Sequence, residues 1–394
     1  MLTRTGWIVA LVAGGLVAVG RLLGIFELFL LGAAGLVLVV GALAVVRRTP
    51  LRLDVSRTLH PPRVHAGSPS RVELSVRNRS SRRTPLLTVR DPVGRGRSAT
   101  VALAPLGQSQ TIRAAYRLPT ERRGILRVGP LSVEVSDPFG LAALSTAAAP
   151  VTELTVWPAV EDVDPLPHTV SDDPHGGADQ ASALSAGGED FYALRPYAPG
   201  DDLRRVHWRS TARWDELLVR QEERPWQGRG TVVLDCRRGS HSPASFERAV
   251  SAAASVVVAC MRRHFLVRLV DTTGYDSGAA AGAAHVEALL ERLATVEPVE
   301  GGRLSATVAG LRRPGNSGAC AVLLGEPAAG DVDRLAHLRP PFAALAVVAF
   351  PPARRRTALD AATSAVPVVE DDDGFPEAWR LALRRTRRPA GAVG

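Results

Sequence analysis

The sequence predicts a multidomain protein with a two-helix transmembrane hairpin, a β-sandwich, and an α/β domain built on a doubly wound parallel sheet. Three observations indicate this division. Residues 1–50 are almost wholly apolar, residues 51–158 contain short strand-like runs, and residues 229–394 alternate strand patterns with helical ones. Residues 159–228 join the last two regions as an acidic linker followed by a dense motif of charged and aromatic residues. A chain of 394 residues has room for each domain to bury its own core.

The transmembrane hairpin is predicted from two apolar runs. The first begins at Trp7 and is broken by Arg21 and Glu27, whereas the second continues without interruption from Phe29 to Val46. The second run is long enough to span a bilayer unaided, and the first spans it if Arg21 snorkels to the interface. A cleaved signal peptide with Arg4 in its basic region is the alternative. We favour the hairpin because the second apolar run follows at once.

The placement of arginine predicts the topology of the hairpin. Arg4 precedes the first helix, and Arg47, Arg48 and Arg52 follow the second, whereas the tip offers one arginine offset by a glutamate. The positive-inside rule therefore places both termini and the soluble domains in the cytoplasm. The three cysteines lack C-x-x-C spacing and lie in apolar segments, which fits a reducing compartment.

Residues 51–158 predict a β-sandwich of the immunoglobulin-like kind. Strand-like runs separated by turn residues recur roughly every 8–12 residues, as they do in two packed antiparallel sheets. The runs are RVELSVRN, LLTVRD, ATVALAP, QTIRAAYRLP, ILRVGPLSVEVSD and ELTVWP. The region contains no cluster of histidine, cysteine or paired carboxylates, so we expect it to bind or to act as a spacer.

The motif in residues 187–225 is predicted to form a turn, a helix, a second turn and a strand, after a surface connection over residues 159–188. Pro199 and Gly200 suit a turn, and Asp201 is a natural N-cap for a helix that continues to about Arg213. Asp201 and Asp202 stand three or four residues before Arg204 and Arg205, the spacing of helical ion pairs. Residues 216–221 (ELLVRQ) then predict a strand.

The run R-x-Y-x-P-G-D-D-x-R-R-V-x-W-R-S-x-A-R, from Arg195 to Arg213, resembles the signature of a bacterial family known as domain of unknown function fifty-eight. RRGILRVGP (Arg122 to Pro130) and DPFGL (Asp137 to Leu141) resemble the upstream β-domain of that family. The resemblance implies a von Willebrand factor A-like domain in the C-terminal half and a partnership with a MoxR-type AAA+ ATPase. It also suggests a transglutaminase-like membrane protein as a partner. The signature residues expected to bind a partner are Arg195, Tyr197, Gly200, Asp201, Asp202, Arg204, Arg205, Trp208 and Arg213.

The C-terminal region predicts a parallel sheet because strand and helix patterns alternate along it. The strand patterns are Thr231–Asp235, Phe265–Asp271, Ala319–Gly325 and Phe342–Phe350. The helical patterns are Pro243 to Arg263 with Ser242 as N-cap, residues 281–293 and 331–338, and a last helix from Phe375. Ligands of such sheets bind at the carboxyl ends of strands, so Asp235 and the loop after it are the predicted site.

The predicted site lacks the metal ligands that a von Willebrand factor A-like domain uses. That pattern needs an aspartate with serines two and four residues later, and this chain has Arg237 and Gly239 at those places. A guanidinium cannot ligate a cation, and glycine has no side-chain oxygen. We therefore expect no metal and no cofactor, with Asp235 capping the strand-loop junction or pairing with Arg237.

The composition excludes several classes of function. The 48 lysine and arginine positions are all arginine. The absence of lysine excludes a Walker A loop, a lysine Schiff base and serine-lysine catalytic pairs. Any ATP hydrolysis linked to this protein must therefore be carried out by a partner. The formal charge of +9 lies partly at chain ends and loops, and we expect no nucleic-acid binding. The leading hypothesis is a membrane-anchored, non-catalytic adaptor or assembly factor. The alternative is a hydrolase or transferase with Asp201, Asp202 and His207 in its active site.

Overall fold

The chain forms two compact units. One comprises Met1–Val160 with Leu290–Val296, and the other comprises Glu161–Leu289 with Glu297–Gly394. The computed structural model describes residues 1–48, 52–169, 193–197, 206, 208–214, 216–221, 228–313, 315–328, 330–352, 366–371 and 374–386. Two apolar helices come first, a β-sheet region follows, and a mixed α/β region completes the chain.

The two predicted membrane helices are present as α1 (Arg4–Leu23) and α2 (Phe26–Arg48), and both are long and apolar enough to cross a membrane. Helix α1 begins after Thr3, whose Oγ1 accepts a hydrogen bond from the amide of Gly6 at 3.0 Å. It ends at Gly24, whose φ of 71° is left-handed and therefore suits glycine at a helix C-cap. The outcome supports membrane anchoring.

Helices α1 and α2 pack closely at small residues. A Cβ added to Gly32 of α2 would lie 2.6 Å from the carbonyl oxygen of Ala13 and 2.7 Å from the amide nitrogen of Val17 on α1. Glycine at this place lets the two backbones approach, as is usual where helices associate in lipid.

The β-sheet region of the first unit contains ten strands. They are β1 (Leu53–His60), β2 (Arg63–His65), β3 (Arg71–Asn78), β4 (Leu87–Val93), β5 (Arg97–Leu103), β6 (Thr111–Arg117), β7 (Gly124–Val128), β8 (Leu131–Ser136), β9 (Ala143–Ala149) and β10 (Thr152–Trp157). One sheet has the order β1-β3-β6, and the other has the order β2-β10-β7-β4-β8-β9 with β5 paired to β4. All six predicted runs form strands, whereas β1, β2 and β9 were not predicted. The run ILRVGPLSVEVSD is divided between β7 and β8 because Gly129 and Pro130 interrupt the strand.

The two sheets share one hydrophobic core, to which both contribute alternate side chains of their strands. A buried polar network joins them inside it. Arg57 of β1 donates to the carboxylate of Asp91 on β4 at 2.7 Å, and the hydroxyl of Tyr116 on β6 donates to the other oxygen of Asp91 at 2.7 Å. Burial, followed by the hydrogen bond to Asp91, raises the pKa of Tyr116, so the phenol stays protonated and serves as a donor.

The start of the predicted surface connection is instead packed. Leu166 is buried, with its side chain beside Gly230. The indole Nε1 of Trp379 donates to the carbonyl oxygen of Asp164 at 2.7 Å. The predicted surface connection over residues 159–188 is therefore wrong at Leu166, whose apolar side chain is buried in the core, whereas Asp162 and Asp164 are exposed as predicted. Residues 170–188 lie outside the described part of the chain.

The signature motif contains β11 (Ala193–Pro196), α3 (Trp208–Trp214) and β12 (Leu218–Gln221), with β11 and β12 antiparallel. The predicted strand after the helix is confirmed. The helix predicted from Asp201 to about Arg213 is confirmed from Trp208 and is wrong at Val206, which is buried and forms a β-bridge. Valine is β-branched, and such side chains favour extended backbone. Residues 201–205 lie outside the described part of the chain, so the predicted start at Asp201 does too.

The α/β region is built on a five-stranded parallel sheet in the order β14-β13-β15-β16-β17. Its elements are β13 (Arg229–Leu234), α4 (Pro243–Arg262), β14 (Leu266–Asp271), α5 (Ala283–Thr295), α6 (Leu304–Leu311), β15 (Ala319–Leu324), α7 (Asp331–Ala336), β16 (Ala344–Ala349), β17 (Val368–Glu370) and α8 (Phe375–Thr386). Every predicted strand and helix of this region is present, whereas α6 and β17 were not predicted. Helix α4 begins with a capping box between Ser242 and Ser245. The helix is largely buried, so packing in the core explains its long apolar sequence.

Candidate functional site

The candidate site lies at the carboxyl ends of the two central strands, β13 and β15. From β13 the chain passes to β14 on one side, and β15 lies on the other side, so the strand order reverses between β13 and β15. Loops diverge at such a point, and open α/β sheets bind their ligands there. Asp235 directly follows β13, and Asp331 begins α7 after β15.

Asp235 and Arg237 form a two-pronged ion pair in this place. The Nε of Arg237 donates to Oδ1 of Asp235 at 2.9 Å, and Nη2 donates to Oδ2 at 2.9 Å. The backbone amide of Arg237 also donates to Oδ1, at 3.0 Å. The predicted alternatives of a capping role and an ion pair are therefore both realised.

Arg237 also reaches the second carboxylate. Its Nη2 donates to Oδ2 of Asp331 at 2.9 Å, and Nη1 of Arg334 donates to Oδ1 of the same carboxylate at 2.9 Å. The side chains of Asp235 and Asp331 are buried, and that of Arg237 is 20% exposed. One guanidinium thus lies between two buried carboxylates, and together with Arg334 it compensates their two charges.

The protonation states follow from this arrangement. Burial by itself would raise the pKa of Asp235, but the hydrogen bond and charge of Arg237 outweigh it and hold that pKa below its usual range. Burial would likewise lower the pKa of Arg237, but the hydrogen bonds and charges of Asp235 and Asp331 raise it above its usual value. Both groups stay ionised at neutral pH, so neither is tuned to donate or accept a proton.

Ser240 and His241 complete the surroundings of Asp235. The Oγ of Ser240 donates to Oδ2 of Asp235 at 3.1 Å, and Nε2 of His241 lies 2.9 Å from the carbonyl oxygen of Asp235. Because a carbonyl can only accept, that distance requires the proton of the neutral imidazole on Nε2. Burial lowers the pKa of His241, although the carboxylate of Asp235 opposes the shift. His241 is therefore neutral at neutral pH.

Two further acidic residues lie at the same edge of the sheet. Asp271 ends β14, and its Oδ1 accepts from the amide of Thr273 at 2.8 Å. Asp371 follows β17, and its Oδ2 accepts from Nη1 of Arg248 on α4 at 2.8 Å. Sequence reasoning singled out Asp235 but missed Asp271, Asp331 and Asp371. The sequence pattern that could have identified Asp271 and Asp371 is an aspartate at the end of an apolar strand run or just beyond it.

The arrangement does not suit a divalent cation. Arg237 places a positive charge between the two carboxylates that could otherwise ligate a metal, and Gly239 offers no side-chain oxygen. Among the residues that the structure describes, no group of three or more His, Cys, Asp or Glu side chains is placed to hold a metal ion.

The signature residues are only partly described. Arg195 lies on β11 opposite Val219, and the amide of Tyr197 donates to the carbonyl oxygen of Leu217 at 2.8 Å. Trp208 opens α3 and Arg213 lies in its last turn, and both are exposed. The structure therefore brings Arg195 and Tyr197 beside β12. Gly200, Asp201, Asp202, Arg204, Arg205 and His207 lie outside the described residues.

Residues 193–362 match the model of a family described as "Protein of unknown function DUF58". The match covers less than half of the chain and includes the motif Arg195 to Arg213, so the resemblance drawn from that motif is confirmed.

Comparison with other proteins adds little. No curated protein matches the chain. Among solved structures, the CARDB domain of a Pyrococcus furiosus protein, in complex with di-metal ions, is 18% identical, with a TM-score of 0.20 over 27% of this chain and 86% of that one. A β-glucosidase from Listeria innocua, in complex with gluconolactone, is 15% identical with a TM-score of 0.19, over 27% of this chain and 16% of that one. One from Erythrobacter marinus is 12% identical with a TM-score of 0.18, over 27% and 15%. Likenesses this weak carry no argument about function.

Proposed function

We propose that the protein is a membrane-anchored, non-catalytic adaptor or assembly factor that presents a von Willebrand factor A-like domain to a MoxR-type AAA+ ATPase and its client. In this proposal the α/β region is the A-like domain, and the two sheets of the first unit form an immunoglobulin-like sandwich that binds or acts as a spacer. The soluble regions face the cytoplasm, where such an ATPase is found.

The observation that carries the proposal is the guanidinium of Arg237 between Asp235 and Asp331. It supports a domain in which an internal cation holds the segments at the carboxyl ends of the central strands in one arrangement. Such a site offers neither an open position for a substrate on a metal nor a carboxylic acid ready to donate a proton. It is suited to hold the loops after β13 and β15 in place as part of a binding surface.

The signature helix supplies a surface that suits a protein partner. Trp208 and Trp214 are 64% and 74% exposed, and Arg209 and Arg213 between them are also exposed. Tryptophan and arginine are the residues that most often dominate the binding energy of protein interfaces. Their exposure on a seven-residue helix supports a role in docking.

The proposal is tested by binding between the full-length protein in nanodiscs and the purified MoxR-type ATPase from the same genome. We expect saturable binding that is sensitive to the nucleotide on the ATPase, and we expect Trp208→Ala to weaken it at least tenfold, about 1.4 kcal/mol. Leu86→Ala, which removes another exposed apolar side chain from the first unit, is the matched control and should bind as the native protein does. Both variants should keep the native melting temperature.

Two results would count against the proposal. One is the absence of saturable binding, and the other is equal binding by Trp208→Ala and the native protein. The enzyme alternative makes a different prediction, because Asp202→Asn or His207→Gln would then abolish cellular function while the ATPase still bound normally.

A further inference from the structure

The turn between β8 and β9 (Asp137–Leu141, sequence DPFGL) is attached to the start of membrane helix α1. The backbone amide of Thr3, the N-cap of α1, donates to the carbonyl oxygen of Leu141 at 2.9 Å. The hydroxyl of Thr3 donates to the carbonyl oxygen of Gly140 at 2.6 Å. Leu2 also forms an antiparallel β-bridge with Ala142. The turn and the end of the helix therefore form one hydrogen-bonded structure.

Glycine is required at this attachment. A Cβ added to Gly6 would collide with the carbonyl oxygen of Leu141. Helix α2 meets the same place, because Ala42 and Val46 belong to one buried apolar cluster with Leu141 and Ala142. Both membrane helices are thus packed against the turn.

The turn is closed by its own hydrogen bonds, and it presents one aromatic side chain to its surroundings. The carboxylate of Asp137 accepts from the amide of Phe139 at 2.8 Å and from the amide of Ala142 at 2.5 Å. Gly140 has a left-handed φ of 67°, which closes the turn. Leu141 and Ala142 are buried, whereas the side chain of Phe139 is 66% exposed. The backbone hydrogen bonds hold this exposed aromatic residue in a fixed position.

The chemistry of this end of the hairpin is that of a membrane interface. Arg4 is the first residue of α1, Trp7 lies one turn further and is exposed, and Arg47 and Arg48 end α2. Arginine and tryptophan mark the level at which a helix passes from the hydrocarbon to the headgroups. Phe139 belongs to the turn that is hydrogen-bonded to Thr3, the residue directly before Arg4.

We propose that the DPFGL turn is a membrane-insertion element, with Phe139 buried at the boundary between headgroups and acyl chains of the bilayer that α1 and α2 cross. At this boundary the lipid covers the apolar ring of the phenylalanine and removes its surface from water, which is favourable. The turn then fixes the β-sheet region against the membrane surface through a third point beside the two helices. This inference does not depend on the ATPase partner.

The experiment places an environment-sensitive fluorophore on the turn. Phe139→Cys is labelled with a nitrobenzoxadiazole iodoacetamide in the full-length protein and reconstituted into phosphatidylcholine and phosphatidylglycerol vesicles, with and without nitroxide-labelled lipid. The native cysteines are buried, and the native protein carried through the same labelling gives the background.

Arg95→Cys is the matched control. Arg95 is exposed in the turn after β4, and the antiparallel pairing of β4 with β8 places that turn at the opposite end of the sheet from Asp137. The two turns are separated by roughly 20 Å, the length of β4.

We expect the label at residue 139 to emit at shorter wavelength than the label at residue 95 and to lose most of its emission to nitroxide lipid, with no loss at residue 95. Emission at residue 139 that resembles emission in water and is not quenched would overturn the inference.

Phe139→Ser provides a second test that does not need a label. It should keep the melting temperature in detergent, because the side chain is exposed there, and should lose protection of the turn from hydrogen exchange in vesicles. Unchanged protection in vesicles would also count against the inference.

Discussion

The guanidinium of Arg237 and the carboxylate of Asp235 meet through two hydrogen bonds of 2.9 Å at the carboxyl end of β13. The carboxylate is fully buried, and a third bond of 2.9 Å extends from the same guanidinium to Asp331. One arginine therefore joins the segments that follow β13 and β15, the two strands on either side of the point where the sheet reverses its order. This relationship determines how the site responds to substitution, metal and pH.

Removal of the Arg237 charge should destabilise the α/β region strongly. Arg237→Met retains most of the side-chain volume but leaves the buried Asp235 without its cation, which typically costs about 3–5 kcal/mol, whereas Asp331 keeps its ion pair with Arg334. Arg238→Met is the matched control, because Arg238 is 57% exposed and pairs with an exposed glutamate, an interaction worth about 0–1 kcal/mol. Hydrogen exchange of the β13 and β15 peptides in the full-length protein measures the difference locally. Equal protection in the two variants would contradict the prediction.

The native protein should bind neither Mg²⁺ nor Mn²⁺ at Asp235, and a double substitution should create a site. Arg237→Ser with Gly239→Ser restores hydroxyls two and four residues after Asp235 and removes the competing charge. A Cβ at Gly239 meets no atom within 4 Å, so the second serine fits. We expect Mg²⁺ to raise the melting temperature of the double variant and to leave that of the native protein unchanged. Adding Asp235→Ala to the double variant should remove the effect. Saturable binding of Mg²⁺ by the native protein that Asp235→Ala abolishes would refute the first part.

The α/β region should lose stability as the pH falls below about 6.5, the usual pKa of histidine. Burial lowers the pKa of His241 in the folded state, so the unfolded chain takes up a proton in this window that the folded chain resists, and acid favours unfolding. The pKa of Asp235 is also lowered, but its contribution is lost only at more acidic pH, below about 4. His241→Gln should therefore flatten the profile between pH 7 and pH 5. His60→Gln, at an exposed histidine, controls for the loss of an imidazole. If His241→Gln leaves the pH profile of stability unchanged, His241 is not the origin of the pH dependence.

The membrane hairpin should tolerate a large residue at Gly14 but not at Gly32. Gly32→Leu would place a side chain against the backbone of α1, where a Cβ already lies 2.6 Å from the oxygen of Ala13. Gly14→Leu meets no atom within 4 Å and makes the same chemical change. We expect only Gly32→Leu to lower the melting temperature and the yield of monodisperse protein in detergent, because the helices can no longer approach. Similar losses in both variants would mean that close packing at Gly32 does not hold the hairpin together.

Both termini should lie in the cytoplasm, as the distribution of arginine predicts. A C-terminal reporter that is active only in the cytoplasm should be active, and protease added outside intact cells should spare the soluble regions. Moving the charge should weaken this orientation: Arg47→Gln with Arg48→Gln, combined with Leu22→Arg and Leu23→Arg at the tip, should reduce the reporter signal. Digestion of the native soluble regions from outside would refute the prediction.

Much of the fold was predictable from the sequence because its determinants are local. The apolar runs that form α1 and α2, the alternation that forms β3 and β6, and the cap at Ser242 each depend on residues within one or two turns or one strand. The pairing of Asp235 with Arg237 was also within reach, since only two residues separate them. The predicted absence of serine ligands followed directly from the residues present.

The tertiary structure alone decided what depends on distant residues. Asp331 lies 94 residues from Arg237, and only the parallel register of β13 with β15 brings the two together. Leu166 and Val206 lie in segments whose composition favours a surface connection and a helix, yet each is buried. Burial in a core assembled from remote parts of the chain outweighs local preference, and a local pattern contains no record of which remote residues will form that core. The attachment of the DPFGL turn to Thr3 is of the same kind, because hydrogen bonds between residues nearly 140 positions apart exist only once the chain has folded.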